Sequence, residues 1–140
     1  MQYVRERDLN DVGIDWMETI ERIRAVADCM DRGDYEQPLK PYLRYGARRN
    51  RIIAMPAYVG DPLRLAGIKW ISSFPHNIRR GLPRAHSVTI LNETETGRPY
   101  AFFHTTLPSI IRTAAVSGLM LTEFVRRFPE RGWKVGRVGF

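Results

Sequence analysis

Two cationic residues, Lys69 and Arg112, lie within otherwise apolar stretches of this sequence. If GIKWISS forms a strand, side-chain alternation places Lys69 on the same face as Gly67 and Ile71. That face is either solvated or part of a site. In a partly dry site the pKa of the Lys69 ammonium would fall, and the group could orient an amine or carboxylate or polarise a C=N bond. Arg112 falls near the start of a predicted helix, where a cation opposes the helix dipole. With Thr113 and backbone N–H groups it could bind an anion there.

Other residues that commonly carry chemistry lack the required spacing. His76, His86 and His104 show no metal-ligand pattern, so we expect surface or loop roles for them and no metal site. Cys29 is the only cysteine, which excludes an intrachain disulfide and predicts an inert thiol. The sequence contains no serine nucleophile elbow, P-loop or GxGxxG motif.

The basic charge is compatible with several kinds of partner. The formal net charge is +7, and only three of the 22 basic residues are lysines. The excess of arginine could reflect genome composition, nucleic-acid binding, or a small substrate rich in carboxylates or phosphates. The basic residues are not interleaved with aromatic residues as on a single-strand binding surface. We therefore expect no nucleic-acid partner.

Length and composition indicate a folded, soluble chain. Its 140 residues suit one domain, and 44% are hydrophobic and 26% charged. The N-terminal MQYVRERDL lacks the apolar core of a signal peptide, and no apolar run approaches the roughly 18 residues that span a bilayer. We expect a cytoplasmic protein with no membrane partner.

Hydrophobic periodicity predicts two main helices. Asp15 and Glu18 have capping-box spacing at the start of an apolar stripe over residues 16–30. The second helix is predicted from about Thr106, with Pro108 in its first turn. Small residues crowd the middle of this helix, which indicates that another element packs closely there.

Four strand-like runs lie between the two helices, at 51–55, 65–73, 87–92 and 99–103. The last two flank ETETGR, whose Gly97 suits a turn with positive φ, so they predict a hairpin. Residues 34–50 and 74–86 are expected to be irregular. The final segment KVGRVGF predicts a further strand that enters a sheet.

Several segments resemble the ornithine cyclodeaminase/mu-crystallin family in order and spacing: QPLKPYLR, RIIAMPAYVG, AGIKWISSFPHN with RGLPRA, TILNETETGRPYA and IIRTAAVSG. The match is specific from about Gln37 onwards. QPLKPYLR and GIKWISS are most similar to the branch that makes 2,3-diaminopropionate for siderophores and peptide antibiotics. That branch oxidises a glutamate–diaminopropionate adduct with NAD and releases 2-oxoglutarate and 2,3-diaminopropionate.

The resemblance implies an α+β fold with a mixed or antiparallel sheet and two main helices. Residues 1–129 would form a substrate-binding and dimerisation domain, and 130–140 the first strand of a truncated Rossmann NAD-binding domain. Most of the NAD site and the family's catalytic aspartate would then lie beyond residue 140. The chain alone is expected to be inactive, to bind NAD negligibly and to form a homodimer.

The resemblance also implies roles for individual residues. Lys69 matches the catalytic lysine, which contacts the substrate carboxylate and the reacting nitrogen. Arg112 matches the arginine that clamps the carboxylate near the cofactor, and Thr113 matches the threonine that reaches the cofactor phosphates. The expected substrate is a small amino acid with three carboxylates, and the residues expected to bind it are Lys40, Arg44, Met55, Lys69, Arg84 and Arg112.

Two alternatives stay open at this point. One is a true ornithine cyclodeaminase, which converts ornithine to proline and ammonia. The other is a non-catalytic dimerisation or binding module.

Overall fold

A computed structural model describes residues 1–9 and 12–129 of the chain. These residues form one sheet with helices, and the predicted α+β class is confirmed. In chain order the elements are β1 (Gln2–Arg5), α1 (Glu6–Leu9), α2 (Trp16–Asp31), β2 (Tyr35–Glu36), β3 (Tyr42–Leu43), β4 (Arg51–Val59), β5 (Leu65–Ser73), a 3-10 helix (Pro75–Arg80), β6 (Ala85–Asn92), β7 (Pro99–His104) and α3 (Leu107–Arg127).

The seven-stranded sheet has the order β1-β7-β6-β5-β4-β2, and β3 also pairs with β4. Strand β1 runs parallel to β7, and the other pairs are antiparallel, so the sheet is mixed as expected. The predicted β6–β7 hairpin is present. Its turn has Gly97 at φ 71°, a backbone conformation that residues other than glycine rarely adopt.

Helix α2 begins as its sequence predicts. The Asp15 side chain accepts a hydrogen bond from the Glu18 N–H at 2.9 Å and satisfies one of the free donors of the first turn. The apolar stripe is buried less evenly than predicted. Trp16 and Met30, at its two ends, are 46% and 47% exposed, whereas Cys29 is fully buried.

Close packing between the two main helices explains the small residues of α3. A Cβ added at Gly118 would come within 2.8 Å of Ile20 Cδ1 on α2, so the two helices approach each other at this point. Ala115, one turn earlier on α3, is completely buried. The Arg24 side chain on α2 also donates a hydrogen bond to Glu123 on α3. The predicted close contact is confirmed, and it fixes α3 relative to α2.

Three segments differ from the sequence-based expectation. Strand β1 was not predicted, and it gains its structure by pairing with β7, a partner about a hundred residues away. The segment 34–50 contains the two short strands β2 and β3, which exist because β4 offers them a free edge. The segment 75–80 forms a 3-10 helix, with Pro75 in its first turn and Gly81 at φ 69° ending it.

The predicted strand in residues 130–140 lies outside the described residues, so the division of the chain at residue 129 stays a prediction. Within residues 1–9 and 12–129, no helix is long and apolar enough to cross a membrane.

Candidate functional site

The floor of the candidate site consists of neighbouring strands. Lys69 lies at the middle of β5, where the antiparallel register pairs it with Met55 on β4 and Thr89 on β6. Paired residues of adjacent strands share a face, so all three side chains point to the same side of the sheet. Ser87 lies on that side as well, because its pairing partner Ile71 is two residues from Lys69.

The first turns of α3 bring further polar groups over this floor. The Lys69 Nζ donates a hydrogen bond of 3.1 Å to the Ser109 Oγ. Arg112 follows Ser109 by one helical turn and therefore projects from the same side of α3. Thr105 holds the start of the helix: its hydroxyl accepts a hydrogen bond from the Leu107 N–H at 3.1 Å and donates one to Glu6 at 3.3 Å.

These groups line a cavity of about 640 Å³ between the sheet and helices α2 and α3. Three of its lining residues, Lys40, Lys69 and Arg112, are cationic, and none of the lining residues within 1–9 and 12–129 is Asp or Glu. The uncharged polar lining residues are Gln37, Ser87, Thr89, Thr105 and Ser109. The apolar part of the wall comes from the sheet and the two helices: Ile23, Val26, Ala27, Met30, Met55, Pro108, Val116, Leu119 and Met120.

The electrostatics of the cavity favour an anion. Burial lowers the pKa of Lys69 below its usual value, and the nearby positive charges of Arg112 and Lys40 lower it further. The described residues of the lining supply no negative charge to offset these effects. A ligand with carboxylate groups would supply it, and would do so through charge-assisted hydrogen bonds.

Four of the residues expected at the site lie together in this cavity: Lys40, Met55, Lys69 and Arg112. Arg112 has no carboxylate partner among the described residues. Its side chain is exposed and able to turn towards a ligand.

The structure does not bring Arg44, Arg84 or Thr113 to the cavity. The Arg44 guanidinium lies 5.0 Å from the centre of the Tyr42 ring, in the exposed segment between β3 and β4. Arg84 is exposed at the approach to β6. Thr113 lines a neighbouring cavity of about 700 Å³. The substrate roles of Arg44 and Arg84 and the cofactor role of Thr113 stay predictions.

The backbone N–H groups at the start of α3 do not form the expected anion site. The Leu107 N–H already donates to Thr105 Oγ1, and the Ser109 and Ile110 N–H groups donate to the Thr106 carbonyl at 3.0 and 3.3 Å. Pro108 has no N–H to offer. The cationic and hydroxyl side chains that line the cavity, rather than the end of the helix, are therefore the groups with donors free to face an anion.

Sequence reasoning missed five polar residues of the cavity. Alternation along the predicted strand places Ser87 and Thr89 on one common face, but their place on the face of Lys69 depends on the β5–β6 register, which the structure shows and no local pattern predicts. Ser109 was accessible from its spacing of three residues before Arg112. The positions of Gln37 and Thr105 depend on tertiary packing, and no local pattern marks them.

Comparison with known proteins identifies the family. The family model described as the ornithine cyclodeaminase/mu-crystallin family matches residues 10–126. The chain belongs to this family. The resemblance seen in the sequence is thereby confirmed.

Individual members of the ornithine cyclodeaminase/mu-crystallin family are similar over most of this chain. N-((2S)-2-amino-2-carboxyethyl)-L-glutamate dehydrogenase of Staphylococcus aureus is 38% identical over 133 residues, which is 91% of this chain and 40% of the relative. Delta(1)-pyrroline-2-carboxylate reductase of Thermococcus litoralis, solved with NADH and L-proline, has a TM-score of 0.76 at 30% identity, covering 84% of this chain and 36% of that one. An archaeal alanine dehydrogenase, solved as a dimer with NAD, has a TM-score of 0.74 at 29% identity, covering 84% and 35%. The chain thus spans well under half of the length of these relatives.

Among the described residues, no three His, Cys, Asp or Glu side chains come together as metal ligands would.

Proposed function

We propose that this chain is the substrate-binding part of an NAD-dependent dehydrogenase that converts N-((2S)-2-amino-2-carboxyethyl)-L-glutamate to 2,3-diaminopropionate and 2-oxoglutarate. The observation that carries the proposal is the cavity in which Lys40, Lys69 and Arg112 meet with no acidic residue among the described part of the lining. The similarity to the Staphylococcus aureus enzyme supports the choice of substrate.

The charges of the substrate complement those of the cavity. The adduct carries three carboxylates, two from its glutamate part and one from its diaminopropionate part. Three cationic side chains are available to receive them, with hydroxyl groups nearby as further donors. Ornithine has one carboxylate and two ammonium groups, and among the described lining residues its second ammonium would meet only cations and neutral groups. The charge of the described lining therefore favours the tricarboxylate adduct over ornithine.

The residues of this chain would hold the substrate while its glutamate Cα–H bond breaks. NAD, when bound, supplies the acceptor for that hydride. Water then cleaves the resulting C=N bond, so the nitrogen leaves with 2,3-diaminopropionate and the glutamate carbons leave as 2-oxoglutarate. Lys69 would orient the carboxylate next to the reacting nitrogen, and the negative charge of that carboxylate would offset the positive charges of Arg112 and Lys40 that lower the pKa of Lys69. The product would serve siderophore or peptide-antibiotic assembly in the cytoplasm.

The resemblance to the family implies that Arg112 and Thr113 contact NAD, and Arg112 is better placed to do so. Arg112 is exposed and without a carboxylate partner in the described residues, which suits a contact with a phosphate or carboxylate. The Thr113 hydroxyl donates to the Ser109 carbonyl at 2.7 Å and would have to leave it to donate to a phosphate. We therefore assign the cofactor contact to Arg112 before Thr113.

The proposal includes a homodimer formed through the sheet face opposite the cavity. Trp70 points to that face, because it neighbours Lys69 on β5, and it is 43% exposed. Tyr3 and Phe102 stack on the same side with ring centroids 5.3 Å apart. The dimeric state of the archaeal alanine dehydrogenase supports this part of the proposal. We expect Trp70→Glu to shift the sedimentation of the chain from dimer to monomer; a wild-type chain that is monomeric at micromolar concentration would contradict it.

The substrate is tested by titrating the chain with the tricarboxylate adduct and, separately, with L-ornithine. Chemical shifts of the lysine Cε groups report the binding, since the sequence has only three lysines. We expect the adduct to bind at least about tenfold more tightly than ornithine, because each charge-assisted hydrogen bond contributes about 1.5–3 kcal/mol.

Arg112→Gln should weaken binding of the adduct. Arg48→Ala is its control, because it also removes one positive charge, but from an exposed loop that does not line the cavity. Equal affinities for the adduct and ornithine would refute the substrate assignment. Failure of both compounds to perturb Lys69 would favour the non-catalytic module.

A further inference from the structure

Among the described residues, Ser109 is the one whose hydroxyl group forms a hydrogen bond with Lys69. Its Oγ accepts this hydrogen bond from Lys69 Nζ at 3.1 Å, in a part-buried position. The Ser109 carbonyl accepts a separate hydrogen bond from the Thr113 hydroxyl. The Ser109 hydroxyl donates to no described residue, so its proton is available to a ligand while its oxygen accepts from the lysine.

The location of Ser109 gives this hydrogen bond a fixed geometry. The residue lies in the first turn of α3, where its N–H donates to the Thr106 carbonyl at 3.0 Å. Two independent contacts fix the helix itself: Thr105 holds its start, and Gly118 packs against Ile20 on α2. A lysine side chain is long and flexible, so a rigid acceptor decides where its ammonium group lies.

We propose that Ser109 is a positioning residue for Lys69: its hydroxyl holds the ammonium over the sheet floor and directs it towards a substrate carboxylate. This inference rests on the proposed function, because it supposes a carboxylate ligand in the cavity. Preorganisation of this kind raises affinity by removing the need to order the side chain on binding.

The groups around Lys69 predict how each substitution changes its pKa. Arg112 and Lys40 face it in the cavity and lower its pKa, and no acidic residue in the described part of the chain lines the cavity to oppose them. The Ser109 oxygen stabilises the protonated form by accepting a hydrogen bond from it. Ser109→Ala should therefore lower the pKa of Lys69 further, whereas Arg112→Gln should raise it.

The test combines NMR titration of the lysine Cε groups with measurement of L-glutamate affinity, both on the full chain. Lys69 is assigned from the signal that is lost in Lys69→Met. We expect Ser109→Ala to lower the Lys69 pKa and to weaken glutamate binding about tenfold. Ser109→Thr, which keeps the hydroxyl, should restore both. Ser117→Ala is the control, since Ser117 is exposed on the same helix, outside the cavity, and donates to the Thr113 carbonyl.

An unchanged Lys69 pKa in Ser109→Ala would overturn the proposal. So would glutamate binding that falls strongly in Lys69→Met but falls no further in Ser109→Ala than in Ser117→Ala. Failure of the proposed function has a different signature: glutamate binding would then survive Lys69→Met itself. In that case the Lys69 ammonium binds no carboxylate, and both the proposed function and the positioning role of Ser109 are refuted.

Discussion

Replacing Arg112 by Gln should separate ligand binding from folding. Arg112 is exposed and forms no ion pair with a described carboxylate, so removal of its charge breaks no ion pair of the ligand-free fold. Its removal also takes away one of the positive charges that lower the pKa of Lys69. The ligand-free variant should therefore melt within about 2 °C of the wild type, as surface substitutions usually do.

Ligand binding should suffer much more. Loss of the hydrogen bonds from a guanidinium to a carboxylate costs about 1.5–3 kcal/mol, which corresponds to a roughly 10- to 150-fold higher Kd. A ligand at 100 times its Kd stabilises the fold by about 2.7 kcal/mol. For a chain of this size that is a rise in Tm of roughly 5–10 °C. If the Kd rises 100-fold, the same ligand concentration gives only about 0.4 kcal/mol, or about 1 °C.

Thermal melting at low salt, with and without the tricarboxylate adduct, measures both quantities. Arg112→Lys should behave like Arg112→Gln, because an ammonium group does not reproduce the two parallel hydrogen bonds of a guanidinium. Arg48→Ala, in an exposed loop, should keep the full ligand-induced rise. A variant of Arg112 that retains the full rise, or that melts many degrees lower without ligand, would show that the residue has been misassigned.

Three further predictions concern the fold and its pH dependence. Gly67→Ala should destabilise the chain by about 3 kcal/mol, because the added Cβ would lie 2.3 Å from the backbone carbonyl oxygen of Ile90; Gly13→Ala, with open space around it, is the control in urea unfolding. Lys69→Met should stabilise the ligand-free chain slightly at pH 7, by about 0.5 kcal/mol for a half-buried group. Because the pKa of Lys69 is lowered on folding, the unfolded chain binds more protons than the folded chain between the folded pKa and 10.5. The charged Lys69 therefore destabilises the fold fully at neutral pH. The stability advantage of Lys69→Met should vanish as pH rises through this window. Hydrogen bonds from two arginines lower the pKa of Glu123. The ionised carboxylate should therefore stabilise the fold above its usual pKa, and this stabilisation should be lost as pH falls through the lowered pKa. Acid titration of Glu123→Gln should show no such loss of stability.

Local patterns predicted the elements whose structure is local. The capping pair Asp15 and Glu18, the hairpin glycine Gly97 and the strand alternation around Lys69 each depend on a few neighbouring residues, and the structure has all three features. Strand β1 was missed because its residues become a strand only through pairing with β7. The same limit applies to the site. The contact of Ser109 with Lys69 depends on how α3 crosses β5, and no spacing in the sequence encodes it.

The role of Arg44 and Arg84 shows a related limit of charge-based assignment. Both belong to segments that resemble the family, yet in the described structure they lie outside the cavity that contains Lys40, Lys69 and Arg112. A count of arginines in the sequence therefore overstates the charge available to the ligand. The sheet face and the first turns of α3 determine which cations share one space.

None of the described residues that line the cavity is acidic, and this affects both the stability of the ligand-free fold and the binding of a ligand. Three positive groups held near each other, one of them half-buried, raise the free energy of the ligand-free fold. An internal carboxylate would relieve this repulsion, but it would occupy the donors that a substrate needs and would repel the substrate's own charge. A ligand with several carboxylates relieves the same repulsion only while it is bound, so its binding energy includes the electrostatic cost that the empty cavity carries. This coupling predicts affinity that falls as salt screens the cavity, and it predicts that each additional carboxylate on the ligand increases affinity until the three cations are satisfied.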